Sequence, residues 1–273
     1  MRRLISYCLR NLVLLFFLVI CIFPLLWVLM SSFKTNREIL DFALTLPSAW
    51  SFRNYAAVFK EPWMIQSLLN SLLSTSLSVV LNALFCYVAA YAMSRFRFRF
   101  LKILLVLISF GLLVPINSAL LPMRLVMDAL RLSNSVVGLG ILYTAVGIPI
   151  STLVLRSHID GIPRSIDEAA SIDGASPART SFAIIAPIAR PGLITIMILQ
   201  AVYSWNEFLF ALTMISDQRY KTLQLIIRNF LGLFQSNYGA LFASVVVAIV
   251  PIITLFVIFQ NKVIEAFTSG AVK

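Results

Sequence analysis

The chain has 273 residues, 60% hydrophobic and 12% charged, and its 22 Lys and Arg against 11 Asp and Glu give a net charge of +11. A mean hydropathy of +0.94 excludes a water-soluble globule, because soluble domains carry only about 45–50% apolar residues. The basic residues fall mostly in short segments between apolar runs, which reads as topology-setting charge beside anionic headgroups and not as a nucleic-acid face.

The first run, residues 11–33, has no charge between Arg10 and Lys34. It exceeds the roughly 7–15 residues of a signal-peptide core, and no A-x-A cleavage pattern follows, so a retained transmembrane helix is expected. Further uncharged runs occupy 62–94, 103–123, 132–155 and 229–261, and a stretch at about 192–215 is interrupted only by Glu207. Each meets the length of about 17–25 residues that a spanning helix needs. Continuous rather than alternating apolarity favours helices over a barrel. The expected fold is an all-α membrane protein with about six transmembrane helices.

The loops orient it. Arg2, Arg3 and Arg10 precede the first span, Arg95, Arg97, Arg99 and Lys102 crowd "RFRFRFLK" after the second, and Arg156, Arg164, Arg179 and Arg190 follow the fourth. The positive-inside rule then puts both termini, the 95–102 turn and the 156–190 loop in the cytoplasm, with 34–61, about 128–134 and 217–228 opposite. In the basic-aromatic turn, Arg heads toward lipid phosphates are favoured over stacking on nucleic acid.

The cytoplasmic loop carries consistent local signals. "SIDE" at 165–168 fits a capping box, with Ser165 at the cap and Glu168 reaching back. Ala169 and Ala170 continue a short helix, and Asp173-Gly174 supplies a permissive stop. Ser176-Pro177 starts a second helix, running through Arg179, Phe182 and Ile185 to Pro187. Glu168 has two compatible roles open: completing the box, worth about 0.5–2 kcal/mol by analogy with cap losses, and touching a partner directly.

Inside the membrane, Glu207 is the acidic residue within an apolar run, beside Tyr203, Trp205 and Asn206. Burying such a group at a span centre costs about 2.5–3.5 kcal/mol on insertion scales, so it must face protein or a wet cavity. "WNE" suits a path for polyols, through hydrogen bonds and aromatic faces; bracing between helices is the other reading. Asn70, Ser71, Ser74 and Asn82 raise the same two readings, interhelical hydrogen bonding first. Cys8, Cys21 and Cys86 have no CxxC spacing, and His158 is the single histidine, so neither a disulfide framework nor a zinc signature is expected. His158 reads as an interfacial residue.

The spacing of Glu168, Ala169, Ala170, Gly174, Ile184 and Pro187 resembles the cytoplasmic "EAA" loop of binding-protein-dependent ABC importer permeases, with Ala186 standing where the pattern has leucine. "LPSAWSFRNYAAVF" at 46–59, "SWNEFLFAL" at 204–212 and the terminal "FTSGAVK" look like the carbohydrate branch, its maltose-type second permease subunit. The resemblance covers essentially the whole chain. It implies a type I ABC importer transmembrane fold in the bacterial inner membrane, importing an oligosaccharide by alternating access. A monosaccharide, a polyol or glycerol phosphate is the lesser substrate reading. Implied partners are a second homologous permease subunit, two cytoplasmic ATPase subunits, an extracytoplasmic solute-binding protein, membrane lipid and the sugar, with no nucleic acid. The coupling helices, Glu168, Ala169, Ala170, Asp173, Gly174 and Pro187, would seat in the ATPase. No GxxxxGK[ST] loop exists and no Gly is followed by Lys, so the chain is expected to be non-catalytic and free of cofactor, ATP being bound by the partner. The implied division is residues 1–33 tail and first helix, 34–65 external loop, 66–265 transmembrane core including the 156–190 loop, and 266–273 cytoplasmic tail. An ion-coupled secondary transporter would need more intramembrane carboxylates or an inverted repeat, and a scaffold or receptor would leave the loop pattern unexplained.

Overall fold

The computed structural model describes residues 2–41, 45–232 and 236–271, with side chains for 7, 9–41, 45–232 and 236–260. The last two residues of the "FTSGAVK" tail and the Cys8 side chain lie outside them. The described elements are all helical. They are α1 (Arg2–Ser31), α2 (Asn36–Leu40), α3 (Arg53–Lys60), α4 (Met64–Arg95), α5 (Arg99–Phe110), α6 (Leu120–Ala129), α7 (Val136–Asp160) and α8 (Ser165–Ile172). There follow α9 (Pro177–Arg179), a π-helical stretch (Thr180–Ile185), α10 (Ala186–Ile188), α11 (Arg190–Asn206), α12 (Leu209–Met214), α13 (Leu223–Ile227) and α14 (Tyr238–Ala271).

Four helices are long and apolar enough to cross a bilayer: Leu9–Ser31 of α1, α4, α7 and Tyr238–Gln260 of α14. A fifth is reached when the pair Pro177–Ile188 and Arg190–Asn206, bent by 76°, is taken as one span. Two runs that read as continuous are divided. The 103–123 run breaks after Phe110, where Gly111 to Pro115 separate α5 from a short 3-10 turn and α6. The 192–215 run breaks at Glu207-Phe208, between α11 and α12.

The chain forms two units. The first combines residues 1–65 with 226–253. Its α1 buries none of its apolar window, and Leu12, Phe16 and Leu18 are exposed; an all-round apolar helix of this kind is solvated by lipid. Trp27 packs edge-on against Phe242 of α14, at 5.0 Å between ring centroids.

The second unit combines 66–225 with 254–273, and α7 is its axis. Half of its spanning window is buried. Toward one end Leu155 and Ile159 pack with Cys86, Tyr87, Ala90, Tyr91, Ile185 and Ile196. Toward the other, Leu139, Leu142 and Tyr143 pack with Met127, Phe210, Ala211 and Met214. A seam of polar side chains crosses between them. The Gln200 amide donates to Ser78 Oγ at 2.5 Å, to the Tyr143 carbonyl at 2.9 Å and to Ser204 Oγ at 3.1 Å. Asn82, fully buried, lies in the same seam with neither amide atom paired. This seam is possible because Gly147 lacks a Cβ: an added one would overlap the Gln200 amide and stand 2.9 Å from Asn82 Nδ2. Gln200 is held by three bonds and cannot swing aside, so Gly147→Ala is expected to cost about 2 kcal/mol through overpacking. Denaturant titration of the purified chain in detergent checks this, and a midpoint equal to wild type would refute it.

At about 1.5 Å per residue, the 32-residue α4 is about 48 Å long. The hydrocarbon core is only about 30 Å thick. The helix is therefore about 18 Å longer than that core, and its C-terminal turns carry Tyr87, Tyr91 and Arg95 to the loop after α7.

Candidate functional site

The loop after α7 folds as two short helices joined by a glycine turn. Helix α8 ends in a Schellman motif: the Ala175 N–H donates to the Ala170 carbonyl at 2.9 Å and the Gly174 N–H to the Ser171 carbonyl at 3.1 Å. That motif needs a left-handed residue after the cap, and Gly174 has φ +76°. Ser176 caps the next helix, accepting from the Arg179 N–H at 3.3 Å, and Pro177 opens it. The helix continues through the π stretch to Ile188, and the chain then turns by 76° at Ala189 into α11.

The capping box expected at 165–168 is not formed. Arg164 is the N-cap and no side chain caps the helix. Tertiary partners outcompete the local motif. The Arg164 guanidinium reaches the Ser94 carbonyl at 2.7 Å, and Asp167 pairs with Arg95, Nε to Oδ2, at 3.0 Å. Glu168 is left exposed. The same pairing takes Arg95 out of the lipid-facing set expected for "RFRFRF".

These contacts belong to a cluster that fastens both short helices to the C-terminal end of α4. The Tyr91 hydroxyl donates to Asp167 at 3.3 Å, and Arg95 also donates to the Ile162 carbonyl at 3.1 Å. Tyr87 donates to the Ser181 carbonyl at 2.6 Å and its ring lies 5.6 Å from Phe182. Ala170, Thr180, Ser181 and Ile185 turn inward. Glu168, Ala169, Asp173, Gly174 and Pro187 are exposed, as are Ile172 at 86% and Phe182 at 54%. Ile172 and Phe182 are thus large apolar side chains that this chain leaves uncovered. Of the six residues singled out here from sequence, five lie on this outer side, and Ala170 supports the turn from within. Tyr87, Tyr91, Arg95 and Asp167 went unrecognised, although Tyr87, Tyr91 and Arg95 share one helical face at spacing of four.

The 203–207 stretch is organised around the break between α11 and α12. Glu207 accepts from the Phe210 N–H at 2.7 Å, the Ala211 N–H at 3.0 Å and the Tyr143 hydroxyl at 2.9 Å. Its carboxylate thus caps α12 and ties it to α7. Trp205 is buried, and its carbonyl accepts from Gln224 at 3.1 Å. Tyr203 is half-buried, its ring 6.3 Å from that of Tyr143. Asn206 is exposed and donates to the Val202 carbonyl. Asn70 and Ser71 hold the 217–223 segment: Asn70 donates to the carbonyls of Arg219 and Lys221, and Ser71 Oγ accepts from the Leu223 N–H at 2.8 Å. His158 is half-buried, with Nδ1 at 3.0 Å from the Val154 carbonyl.

In the first unit, residues 31–41 and 45–61 make a packed platform. Phe33 stacks among Trp50, Phe52 and Tyr55, and Asn54 donates to the carbonyls of Ser32 and Lys34. A cavity of about 590 Å³ is lined by Phe33, Lys34, Asn36, Arg53, Asn54 and Asn237 among others. The capping box absent at 165–168 is present here, between Thr35 and Glu38. Hydrogen bonds from Ser48 and then Thr35 pull the Glu38 carboxyl down from 4.5 to about 2. A depressed carboxyl contributes stability above its unfolded pKa and loses it as pH falls through the folded value. The contacts that join Thr35 and Ser48 to Glu38 are therefore expected to hold from pH 7 to about 4.5 and to loosen toward pH 2, whereas Glu38→Gln loosens them at pH 7. Trp50 emission, in a chain whose other three tryptophans are replaced by Phe, reads this out; a transition centred near pH 4.5 would count against it.

The profile of the family described as "Binding-protein-dependent transport system inner membrane component" matches residues 83–267. The sulfoquinovosyl glycerol transport system permease protein SmoH of Agrobacterium fabrum is 35% identical over 253 residues, covering 92% of this chain and 89% of that one. The diacetylchitobiose uptake system permease protein NgcG of Streptomyces coelicolor is 33% identical over 254 residues, covering 92% and 84%. Among solved structures, a chain of a bacterial ABC transporter involved in the import of the acidic polysaccharide alginate superposes with a TM-score of 0.84, covering 94% of this chain and 96% of its own at 22% identity; it shares the fold. The resemblance carried by Glu168 to Pro187 is borne out: the chain belongs to the family of inner-membrane components of binding-protein-dependent transport systems.

Proposed function

We propose that this permease is one membrane-spanning half of a carbohydrate importer, and that residues 165–188 receive the stroke of an ATPase. The observation that carries the coupling role is the exposed tip on α8 and the helix after it, braced by Arg95 and Tyr87 from the C-terminal end of α4. A rigid root with an apolar, small-residue outer side can transmit a displacement; a slack loop could not. Glu168, Ala169, Asp173, Gly174 and Pro187 meet the ATPase surface, and Ala170 holds the turn. The loop and both termini face the cytoplasm, two ATPases drive the pair formed with a homologous permease, and the platform at 34–61 meets the external binding protein.

For the solute, relatives named for a sulfoquinovosyl glycerol and for diacetylchitobiose support a glycoside or oligosaccharide. Along 203–207, Glu207 and Trp205 hold the helix break, and the exposed Asn206 with the half-buried Tyr203 stand at the wall of the path. An ion-coupled mechanism lacks support in these carboxylates, since Glu207 spends its oxygens on backbone and Tyr143.

Two measurements test the proposal. In cells bearing Ile172→Cys, a membrane-impermeant maleimide is expected to label only inside-out vesicles, and a cysteine in the ATPase groove to cross-link to it. Uptake is expected to stop on ATP depletion and to survive collapse of the ion gradients. Labelling from the outside, or uptake that follows the ion gradient, would overturn it. A binding screen with the cognate external receptor names the sugar.

A further inference from the structure

A pocket of about 360 Å³ opens where the end of α4 meets the start of α5 and the end of α7. Four basic side chains, Arg97, Lys102, Arg156 and Arg164, line it against a single acid, Asp160. Asp160 is already paired with Arg156 at 3.4 Å, and Arg164 uses one guanidinium nitrogen on the Ser94 carbonyl. Arg97 and Lys102, both exposed, have no hydrogen-bond or ion-pair partner among the described residues. Gathering like charges in one small volume is unfavourable unless an anion completes the set.

Met93, Phe96, Leu101 and Leu105 add apolar lining. A free anion has no use for these side chains, but the acyl chain of an amphiphile does. The pocket lies beside α5, most of which belongs to the uncharged run at 103–123 and whose Ile103 and Leu107 are exposed. An amphiphile can therefore approach it along an apolar helix face.

We propose that this pocket binds an anionic phospholipid, its phosphodiester headgroup among Arg97, Lys102, Arg156 and Arg164 and an acyl chain against Phe96, Leu101 and Leu105. Basic recesses between membrane helices suit such headgroups. Arg164 is also the N-cap of α8, so the bound lipid steadies the root of the two short helices. This rests on the chain spanning a membrane and not on its pairing with an ATPase; its failure leaves that pairing untouched.

The test uses the full chain, stripped of lipid in detergent and re-exposed to dioleoylphosphatidylglycerol, dioleoylphosphatidylcholine or inorganic phosphate, with retained ligand counted by native mass spectrometry. Phosphatidylglycerol is expected to be retained in preference to phosphatidylcholine, and Arg97→Gln/Lys102→Gln to lower that retention about thirtyfold, following from about 1 kcal/mol for each of the two basic residues near an anionic lipid. The charge-keeping Arg97→Lys/Lys102→Arg retains it, which separates the loss from misfolding. Arg99→Gln/Arg190→Gln, removing equal charge outside the pocket, also retains it. Retention unchanged in the Gln pair, an equal fall in the outside control, or displacement by millimolar inorganic phosphate would each overturn the proposal.

Discussion

Gly174→Asp is expected to leave the chain in the membrane at wild-type level and to reduce uptake by about a hundredfold or more. The structure separates the two effects. A Cβ added at Gly174 meets no atom within 4 Å, so within this chain the new side chain collides with no neighbour. The φ of +76° carries a backbone penalty of about 1–2 kcal/mol for most residues, and Asp is among those that tolerate it best. That is too little to dissolve a turn closed by the Ala175 and Gly174 N–H groups on the Ala170 and Ser171 carbonyls. The space around Gly174 is empty only while the chain is alone. In the proposed assembly the groove of the ATPase fills it, and a carboxylate buried there without a partner costs several kcal/mol. An effect confined to the assembly is therefore expected: normal membrane abundance, normal thermal stability of the isolated chain, lost cross-linking between Ile172→Cys and the ATPase, and lost uptake. Gly174→Ala, with a somewhat larger backbone penalty than Asp but no charge, should retain a measurable fraction of transport. Unchanged uptake in the Asp variant with normal ATPase association would remove Gly174 from the coupling surface. Loss of the chain from the membrane would place its role in folding instead.

The parts of this fold that were legible in the sequence are those governed by local chemistry. Uncharged runs at 11–33, 62–94 and 132–155 became α1, α4 and α7, because lipid as solvent makes length and apolarity sufficient. Gly174 and Ser176-Pro177 marked the turn and the second start correctly, since a left-handed residue and an N-cap are requirements of the backbone within a few residues. Local reading failed where distant groups competed. Ser165 and Glu168 satisfy the capping-box pattern, yet Arg164 and Asp167 are drawn to Ser94 and Arg95, some 70 residues away in sequence. The break at Glu207 was invisible because hydropathy cannot distinguish a carboxylate in the middle of a span from one that caps the next helix. The anchoring role of Tyr87 and Tyr91 could have been suspected from their spacing, but only the folded chain shows that this face meets Ser181 and Asp167.

The second large effect is expected at the Arg95–Asp167 pair. The two side chains are 7% and 20% exposed and meet at 3.0 Å, with Tyr91 donating to the other Asp167 oxygen. Removing one partner of a shielded pair leaves a charge without compensation and costs about 3–5 kcal/mol when burial is complete; partial exposure of Asp167 brings Arg95→Met to about 2–3 kcal/mol by the same reasoning. The damage is local. Helix α8 has only eight residues, too few to persist alone in water, and its inward contacts rest largely on Ala170 and on this cluster. Exchange of the 166–175 amides is therefore expected to rise by about thirtyfold in Arg95→Met, following that free energy, while amides in the middle of α7 stay protected. Asp167→Asn is expected to cost at least as much, since the charge it strands is on Arg95, the more buried partner at 7% exposed, although the amide can still accept from Tyr91. The double variant is expected to lose less than the sum of the two, because the uncompensated charge is gone. Transport in all three should fall with the protection of 166–175, since a loosened root yields under load before it moves the membrane helices. Additive effects in the cycle, or rapid exchange of 166–175 with full uptake, would show that the ion pair does not stiffen the lever.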